Sequence, residues 1–322
     1  MSSRAPLASL LLLIAAAALS ADAPPSVSQS SELPKGVIAV PFEIKGERLF
    51  VAAKLNDETA CVCLIDTGSE VTLINRARIT VKNLRAGGFE SLQGAFVGGI
   101  QSQPAVLKKL ELGGEVLQDC PVSVVHHGAG TALEQIDMLL GMDLLGRARF
   151  TVDFKNNRLL FWPVGAALPR EAAGIERVKL AVMRGFKDDG VRPRIEARVN
   201  GKTATQFLLD FGADTPLVVA TRDFKELGFV PAEDPAGALN IASAQGNLTL
   251  MFYRQPWPKL EFGTMSFERV DGRILAASSV PPLAKQELQS SYNILGTPFL
   301  KTFDAIHIDM PTRTVYFDRQ KK

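Results

Sequence analysis

Two aspartates occupy matched positions in this sequence, and their carboxyl groups could carry out acid–base chemistry. Asp66 follows the apolar run Cys61–Ile65, and Asp210 follows the similar run Gln206–Leu209. A glycine comes two residues after each aspartate, so each is expected where a buried strand ends in a tight turn. A carboxylate in such a place must be hydrogen-bonded, paired or protonated, because burying an unpartnered charge is costly.

The chemistry of the pair depends on whether the two turns meet. If a two-fold repeat brings Asp66 and Asp210 face to face, the two carboxyls cannot both ionise. A shared proton then provides a base that activates water and an acid that protonates a leaving group. Amide hydrolysis would need no metal or covalent intermediate. The alternative is that both aspartates only cap their turns.

The elements around the aspartates are repeated along the chain. The two aspartates are 144 residues apart, and at the same offset the turn residues Leu55-Asn56-Asp57 correspond to Val199-Asn200-Gly201. Asn-Gly is a strong hairpin signal. A second pair of similar segments, Leu139-Leu140-Gly141 and Ile294-Leu295-Gly296, follows at an offset of 155. We therefore predict two similar modules, each carrying one aspartate.

The repeat and the N-terminus divide the chain into five segments. Residues 1–23 hold a basic residue, an apolar run and a small-x-small end, which is typical of a signal peptide; the alternative is an uncleaved anchor. Residues 24–35 are predicted to be a flexible lead. Residues 36–164 and 175–322 are the two lobes, and residues 165–174 are the linker. We expect no membrane span after signal removal.

The fold class is predicted to be mostly β, because short runs rich in Val, Ile, Leu and Phe alternate with turn residues. The candidate strands include Val37–Ile44, Leu49–Leu55, Cys61–Ile65, Leu159–Trp162 and Val315–Phe317. Only two brief segments, Thr131–Leu139 and Leu283–Gln289, have a helical pattern.

Composition excludes several classes of function. The 322 residues carry 36 basic and 34 acidic side chains without a long basic run, so nucleic acid is not an expected partner. Cys61, Cys63 and Cys120 are read as small buried side chains; the alternative is one disulfide to Cys120. The three histidines form no zinc motif, and no G-x-S-x-G element is present.

At this point the motifs resemble a known family. Asp66-Thr67-Gly68-Ser69, followed by Thr72, is similar to the active-site loop of pepsin-like and retropepsin-like aspartic proteases, and the two apolar-apolar-Gly segments are similar to the element that supports that loop. The resemblance implies a bilobal β-barrel-like fold with a peptide-binding cleft. It also implies that Asp66 and Asp210 are catalytic, and that substrate-binding positions include Thr67, Gly68, Ser69 and Gly212.

The resemblance also implies a β-hairpin flap over the substrate. Residues 92–106 fit it, with Gly98 and Gly99 at the tip, and residues 241–250 occupy the matching place in the second half. An ordinary glycine hairpin is the alternative. Asp214 matches a family aspartate that binds substrate backbone, and Glu70 stands at the corresponding place; a solvated turn carboxylate is equally consistent with either residue.

The second loop departs from the family pattern. Phe211 stands where the family has Thr or Ser, so the hydroxyl that would interlock with Thr67 is missing, and Pro216 replaces the counterpart of Thr72. Either this loop packs differently or the second half is degenerate. No tyrosine precedes Tyr253, which favours the retropepsin-like side.

These observations predict a secreted or periplasmic aspartic-type endopeptidase that acts as a monomer, without a metal or cofactor, on an extended polypeptide. Two alternatives remain open. One is a bilobal module that binds peptide without cutting it, because of Phe211. The other is a protease active only as a homodimer that pairs Asp66 with Asp66 of a second chain.

Overall fold

The structure is a computed structural model that describes residues 33–92, 100–125, 135–163, 165–166, 175–180, 183–184, 191–220, 237–243, 246–275 and 293–319. Gly36–Lys322 form one compact unit. The described elements are almost all strands, which confirms the predicted fold class.

Among its described residues, the first half contains eleven strands and one short helix, α1 (Met142–Leu145). The strands are β1 (Ile38–Lys45), β2 (Arg48–Leu55), β3 (Thr59–Ile65), β4 (Leu73–Asn75), β5 (Arg85–Ala86), β6 (Glu90–Leu92), β7 (Ile100–Leu112), β8 (Glu115–Val125), β9 (Met138–Leu140), β10 (Arg149–Asp153) and β11 (Arg158–Trp162).

The described part of the second half contains twelve strands and the short helix α2 (Thr297–Leu300). The strands are β12 (Ile175–Lys179), β13 (Met183–Arg184), β14 (Val191–Arg192), β15 (Arg194–Val199), β16 (Lys202–Asp210), β17 (Leu217–Ala220), β18 (Gly237–Ser243), β19 (Gly246–Phe262), β20 (Met265–Leu275), β21 (Asn293–Gly296), β22 (Phe303–Asp309) and β23 (Thr314–Arg319).

The strand pairings of the two halves are equivalent, as the sequence repeat predicts. In the first half β3 pairs in parallel with β9, and in the second half β16 pairs in parallel with β21. A short strand lies beside each pair: β4 joins β9 to β8, and β17 joins β21 to β20. The order β3-β9-β4-β8 in the first half thus corresponds to β16-β21-β17-β20 in the second, and an aspartate lies at the end of the first strand of each set. The chain is built from two copies of one module, although the lobe boundaries at 164 and 175 stay a prediction.

One sheet contains strands of both halves. Its order is β12-β23-β22-β10-β11-β1-β2-β3-β9-β4-β8-β7-β5, and the remaining second-half strands form a seven-stranded sheet and the β13–β14 pair. The halves meet where β10 pairs antiparallel with β22, with Thr151 opposite His307. These two side chains bond at 2.7 Å, and Trp162 Nε1 donates to the Thr151 hydroxyl, also at 2.7 Å.

Alternating apolar residues form the core, as the sequence pattern predicts for half-buried strands. In β2 the side chains of Leu49, Val51, Ala53 and Leu55 are buried and those between them are more exposed. Cys61, Cys63 and Cys120 are buried with free thiols, which confirms their reading as small core side chains.

The predicted hairpin turns are confirmed. Asn56 and Asp57 have φ of 47° and 66°, and Asn200 and Gly201 have φ of 54° and 74°. Both turns use the left-handed region that Asn, Asp and Gly tolerate.

The prediction of a helix over 131–139 is wrong for its last residues. Met138–Leu140 is strand β9, fully buried between β3 and β4. A short apolar run surrounded by strands fits a buried strand as well as it fits a helix, and here the pairing to β3 decides. Residues 283–289, the other helical prediction, lie outside the described residues.

Antiparallel strands lie at both predicted flap positions, although the predicted turn at Gln245-Gly246-Asn247 is wrong because Gly246 and Asn247 are paired in β19, and the flap role stays a prediction. β6 and β7 pair antiparallel with Leu92 opposite Ile100, and β18 and β19 pair with Ser243 opposite Gly246. Gly98 and Gly99 lie outside the described residues. Within the described ranges, no helix has the length and apolar character of a membrane span.

Candidate active site

The first candidate loop begins where β3 ends. Asp66 accepts hydrogen bonds at Oδ1 from the backbone N–H groups of Gly68 at 2.8 Å and Ser69 at 3.0 Å. Its own N–H donates to the carbonyl of Leu140 at 3.1 Å, and the Ser69 hydroxyl donates to the carbonyl of Val71 at 2.8 Å. The turn therefore holds the carboxyl at the strand end, as its Asp-x-Gly pattern predicts.

The second loop repeats this geometry. Asp210 Oδ1 accepts the N–H of Gly212 at 2.8 Å. The N–H of Ala213 donates to the carbonyl of Asp210 at 3.3 Å, as that of Ser69 does to Asp66 in the first loop. Phe211 has not prevented the second loop from adopting the conformation of the first.

The two loops face each other, and each glycine lies against the opposite aspartate. A Cβ atom added to Gly68 would lie 2.4 Å from Asp210 Oδ2, and one added to Gly212 would lie 2.5 Å from Asp66 Cγ. Real side chains do not approach this closely. Glycine is required here because it allows the carboxyls of Asp66 and Asp210 to meet between the halves.

The environment of the pair favours one shared proton. Burial raises the pKa of Asp66, while the hydrogen bond with Asp210, the loop N–H groups and the nearby charge of Arg48 lower it. Burial and then the negative charge of Asp66 raise the pKa of Asp210 well above its usual range. Both pKa values are raised, and the two close carboxyls titrate as one coupled pair that shares a proton.

Beneath the pair, Thr67 joins the two loops. Its hydroxyl donates to the carbonyl of Leu209 at 2.6 Å and accepts the N–H of Phe211 at 3.1 Å. Thr67 and Phe211 both have 0% exposed surface. The Phe211 ring enters the core, 6.1 Å from the ring of Phe154. Phe211 therefore packs into the core while the second loop keeps the backbone hydrogen bonds of the first.

The two apolar-apolar-Gly segments support the loops, as predicted. A Cβ atom on Gly141 would lie 2.4 Å from the carbonyl oxygen of Val71, and one on Gly296 would lie 2.1 Å from that of Thr215. The supports differ in one respect. Thr72 donates to Asp143 at 2.6 Å and accepts the N–H of Gly141 at 3.1 Å, whereas in the second half a backbone carbonyl accepts the N–H of Gly296.

Two ion pairs cross between the halves. Arg48 Nη2 lies 3.1 Å from Asp214 Oδ2, and Arg192 Nη2 lies 2.9 Å from Glu70 Oε1. Arg48 and Arg192 are 144 residues apart, and so are Glu70 and Asp214. The two ion pairs are therefore equivalent contacts of the two repeats. Arg192 Nη1 also donates to the carbonyl of Gly68 at 3.4 Å. The substrate-binding role predicted for Asp214 stays a prediction.

The sequence reasoning missed both arginines, although the repeat offset was sufficient to find them. Arg48 and Arg192 lie at the 144-residue spacing of the aspartates. Thr297 was also missed; its hydroxyl donates to the carbonyl of Phe211 at 2.8 Å. Within the described residues no group of three or more His, Cys, Asp or Glu side chains could hold a metal ion.

Comparison with known proteins agrees with this geometry. Residues 51–147 match the family described as gag-polyprotein putative aspartyl protease. The aspartic proteinase from Irpex lacteus has a similar structure, with a TM-score of 0.54 and 13% identity over 88% of this chain and 98% of that one. The structure titled edgp gives a TM-score of 0.52 and 9% identity over 88% and 95%. The comparison with curated proteins found no match.

The architecture is that of a bilobal aspartic protease, a class defined by two related β lobes with one aspartate loop each. The family match over residues 51–147 includes the Asp66 loop. The chain is thus similar to aspartic proteases in sequence over residues 51–147 and in fold over 88% of its length.

Proposed function

We propose that this chain is an aspartic-type endopeptidase that hydrolyses peptide bonds with water activated between Asp66 and Asp210. The observation that carries the proposal is the close approach of the two carboxyls, each against the loop glycine of the opposite half. In the Asp66–Asp210 pair, the ionised carboxyl removes a proton from water as the water oxygen attacks the peptide carbonyl, and the protonated carboxyl donates to the carbonyl oxygen. The first carboxyl then passes its new proton to the amide nitrogen, the C–N bond breaks, and the second carboxyl regains its proton from the hydroxyl group as the new carboxyl group forms.

The placement of both aspartates in one chain supports a monomeric enzyme over a homodimer that pairs two Asp66 residues. The substrate would be an extended polypeptide, and the pairing of β6 with β7 provides the arms of a hairpin at the position predicted for the flap. Gly98 and Gly99 would close the flap over the peptide backbone. Gly68, Ser69, Gly212 and Asp214 remain the proposed contacts near the reacting bond, whereas Thr67 is fully buried beneath the pair and joins the two loops.

The test is mass-spectrometric detection of cleavage products from an unfolded protein mixture between acid and neutral pH. Wild type is compared with Asp66→Asn, Asp210→Asn and the control Asp119→Asn, whose side chain is 63% exposed in a surface ion pair. Circular dichroism must show the same fold in all four. We expect the two dyad variants to lose cleavage and the control to keep it.

Each other outcome has a defined meaning. Loss with Asp66→Asn alone would indicate pairing between two chains. Absence of cleavage by the folded wild type at every pH would overturn the peptidase proposal and favour a module that binds peptides without cutting them.

We also propose a secreted or periplasmic location, from the signal-peptide pattern of residues 1–23. N-terminal sequencing of the exported protein should begin at Pro24. Recovery of the chain only in the cytosol with Met1 intact would contradict this.

A further inference from the structure

The contacts beneath the aspartate pair are unequal between the two halves. The Thr67 hydroxyl bonds to the carbonyl of Leu209 and to the N–H of Phe211, the residues on either side of Asp210. One hydroxyl of the first half therefore fixes the second loop on both sides of its aspartate. Phe211 has no hydroxyl with which to return these bonds to the loop of Asp66.

The second half has an additional hydroxyl in its place. Thr297 donates from Oγ1 to the carbonyl of Phe211 at 2.8 Å and from its N–H to the carbonyl of Ala213 at 3.0 Å. The repeat offset of 155 places Met142 at the equivalent position of the first half. Its N–H donates to the carbonyl of Ser69 at 2.9 Å, but its side chain has no hydroxyl.

The Phe211 ring is held by the first half. It lies 6.1 Å from Phe154, which itself lies 6.1 Å from Phe42 on β1. Phe154 follows β10 in a turn closed by Asp153, which accepts from Arg158 Nε at 2.7 Å. Hydroxyl groups thus bond to both the N–H and the carbonyl of Phe211. Its side chain packs against Phe154, which packs in turn against Phe42.

We propose that Thr67, Phe211 and Thr297 form a clamp that replaces two reciprocal hydroxyls, and that Thr67 and Thr297 are positioning residues for Asp210. The proposal rests on the proposed peptidase function, because its role is to set the distance between the two carboxyls. That distance governs how they share a proton, since the interaction of two close charges in a buried site depends steeply on their separation.

The clamp is tested with hydroxyl-deletion variants of similar shape, Thr67→Val and Thr297→Val, and with the conservative variants Thr67→Ser and Thr297→Ser. The control is Thr314→Val, since Thr314 is also a buried threonine, 2% exposed, whose hydroxyl donates to a backbone carbonyl outside the two loops. The readouts are the melting temperature, the titration of ¹³C-labelled aspartate carboxyls by NMR, and the pH profile of cleavage.

We expect all three valine variants to lose thermal stability to a similar degree, because each loses one buried hydroxyl. Only Thr67→Val and Thr297→Val should shift an apparent pKa of the aspartate pair, by about 0.5 unit or more. In the same two variants kcat should fall about tenfold or more, and serine should restore most of the loss.

A last variant, Phe211→Thr, tests the aromatic member. The Thr67 hydroxyl already bonds to the carbonyl of Leu209 and to the N–H of residue 211, so we expect the new hydroxyl to give no gain in kcat. Because the ring contact with Phe154 is lost, we expect a lower melting temperature. A severalfold gain in kcat would overturn the clamp, since it would mean that Phe211 only replaces a missing hydroxyl.

An aspartate titration unchanged in Thr67→Val and Thr297→Val, as in Thr314→Val, would also overturn the clamp. These results are separable from failure of the proposed function. If folded wild type does not cleave peptides, the peptidase proposal fails, and the NMR titration of Asp66 and Asp210 still decides whether the clamp exists.

Discussion

Arg192 reaches from the second half to Glu70 in the first and buries almost its whole side chain in doing so, with only 8% exposed. The equivalent pair, Arg48 with Asp214, is more open, at 26% and 48% exposed. The two equivalent ion pairs therefore differ in burial: the Arg192–Glu70 pair is largely buried, and the Arg48–Asp214 pair is partly exposed to solvent.

This difference predicts unequal costs of mutation. Arg192→Ala leaves Glu70 buried without its partner and should destabilise the protein by about 3 kcal/mol. Arg48→Ala should cost about 1 kcal/mol or less, because solvent screens the exposed pair. Urea unfolding of both variants measures the two values, and equal losses would contradict the assigned burial. Glu70→Gln, combined with Arg192→Ala, should recover part of the loss.

The loop glycines predict a sharp steric effect on activity. Gly68→Ala or Gly212→Ala would push a methyl group into the opposite aspartate and separate the carboxyls, so cleavage should fall about 100-fold. Gly88→Ala is the matched control, since nothing lies within 4 Å of an added Cβ there and its φ is not positive. Cleavage rates at matched folded concentration provide the comparison. Unchanged rates in the loop variants would show that the carboxyls do not need to meet.

The raised pKa of Asp210 predicts that this residue destabilises the fold at neutral pH. A carboxyl that binds its proton more tightly when folded adds stability below its unfolded pKa and loses it as the pH rises through the folded pKa. Asp210→Asn should therefore melt at a higher temperature than wild type at pH 7, and the difference should shrink towards pH 4. A lower melting temperature for the variant at pH 7 would show that the carboxylate itself is stabilising.

His307 predicts the opposite dependence at acid pH. Burial lowers its pKa from 6.5 to about 4, against a smaller opposing effect of Asp153. Because the folded protein binds this proton less tightly than the unfolded chain, the free energy of unfolding is unaffected above pH 6.5. It should fall by about 3 kcal/mol as the pH decreases towards 4. His307→Gln, which cannot titrate, should lack this loss. Unfolding curves of both proteins between pH 4 and 7 measure it, and parallel curves would exclude His307 as the cause.

Sequence reasoning reached the aspartate loops because their signals are local. An apolar run, an aspartate and a glycine specify a strand, a turn and a carboxyl at its end, and the repeat predicts that Asp66 and Asp210 meet. The hairpin turns at Asn56 and Asn200 follow equally from turn chemistry.

Other features depend on contacts between distant segments. Nothing local to Arg192 shows that its guanidinium crosses to Glu70, and nothing local to Phe211 shows that a ring from the other half receives it. Met138–Leu140 is too short to be distinguished as strand or helix without its partner β3. The repeat limits these contacts, but packing decides them.

The pairing of β10 with β22 also has a consequence for how the protein could be divided. If the chain were cut within residues 165–174 and the fragments made separately, each would expose the unpaired edge of one of these strands. Such edges are templates for adding strands from other molecules. Each fragment alone would therefore be prone to aggregation, whereas mixing the two could restore the shared sheet, which makes this linker a place to build a complementation reporter.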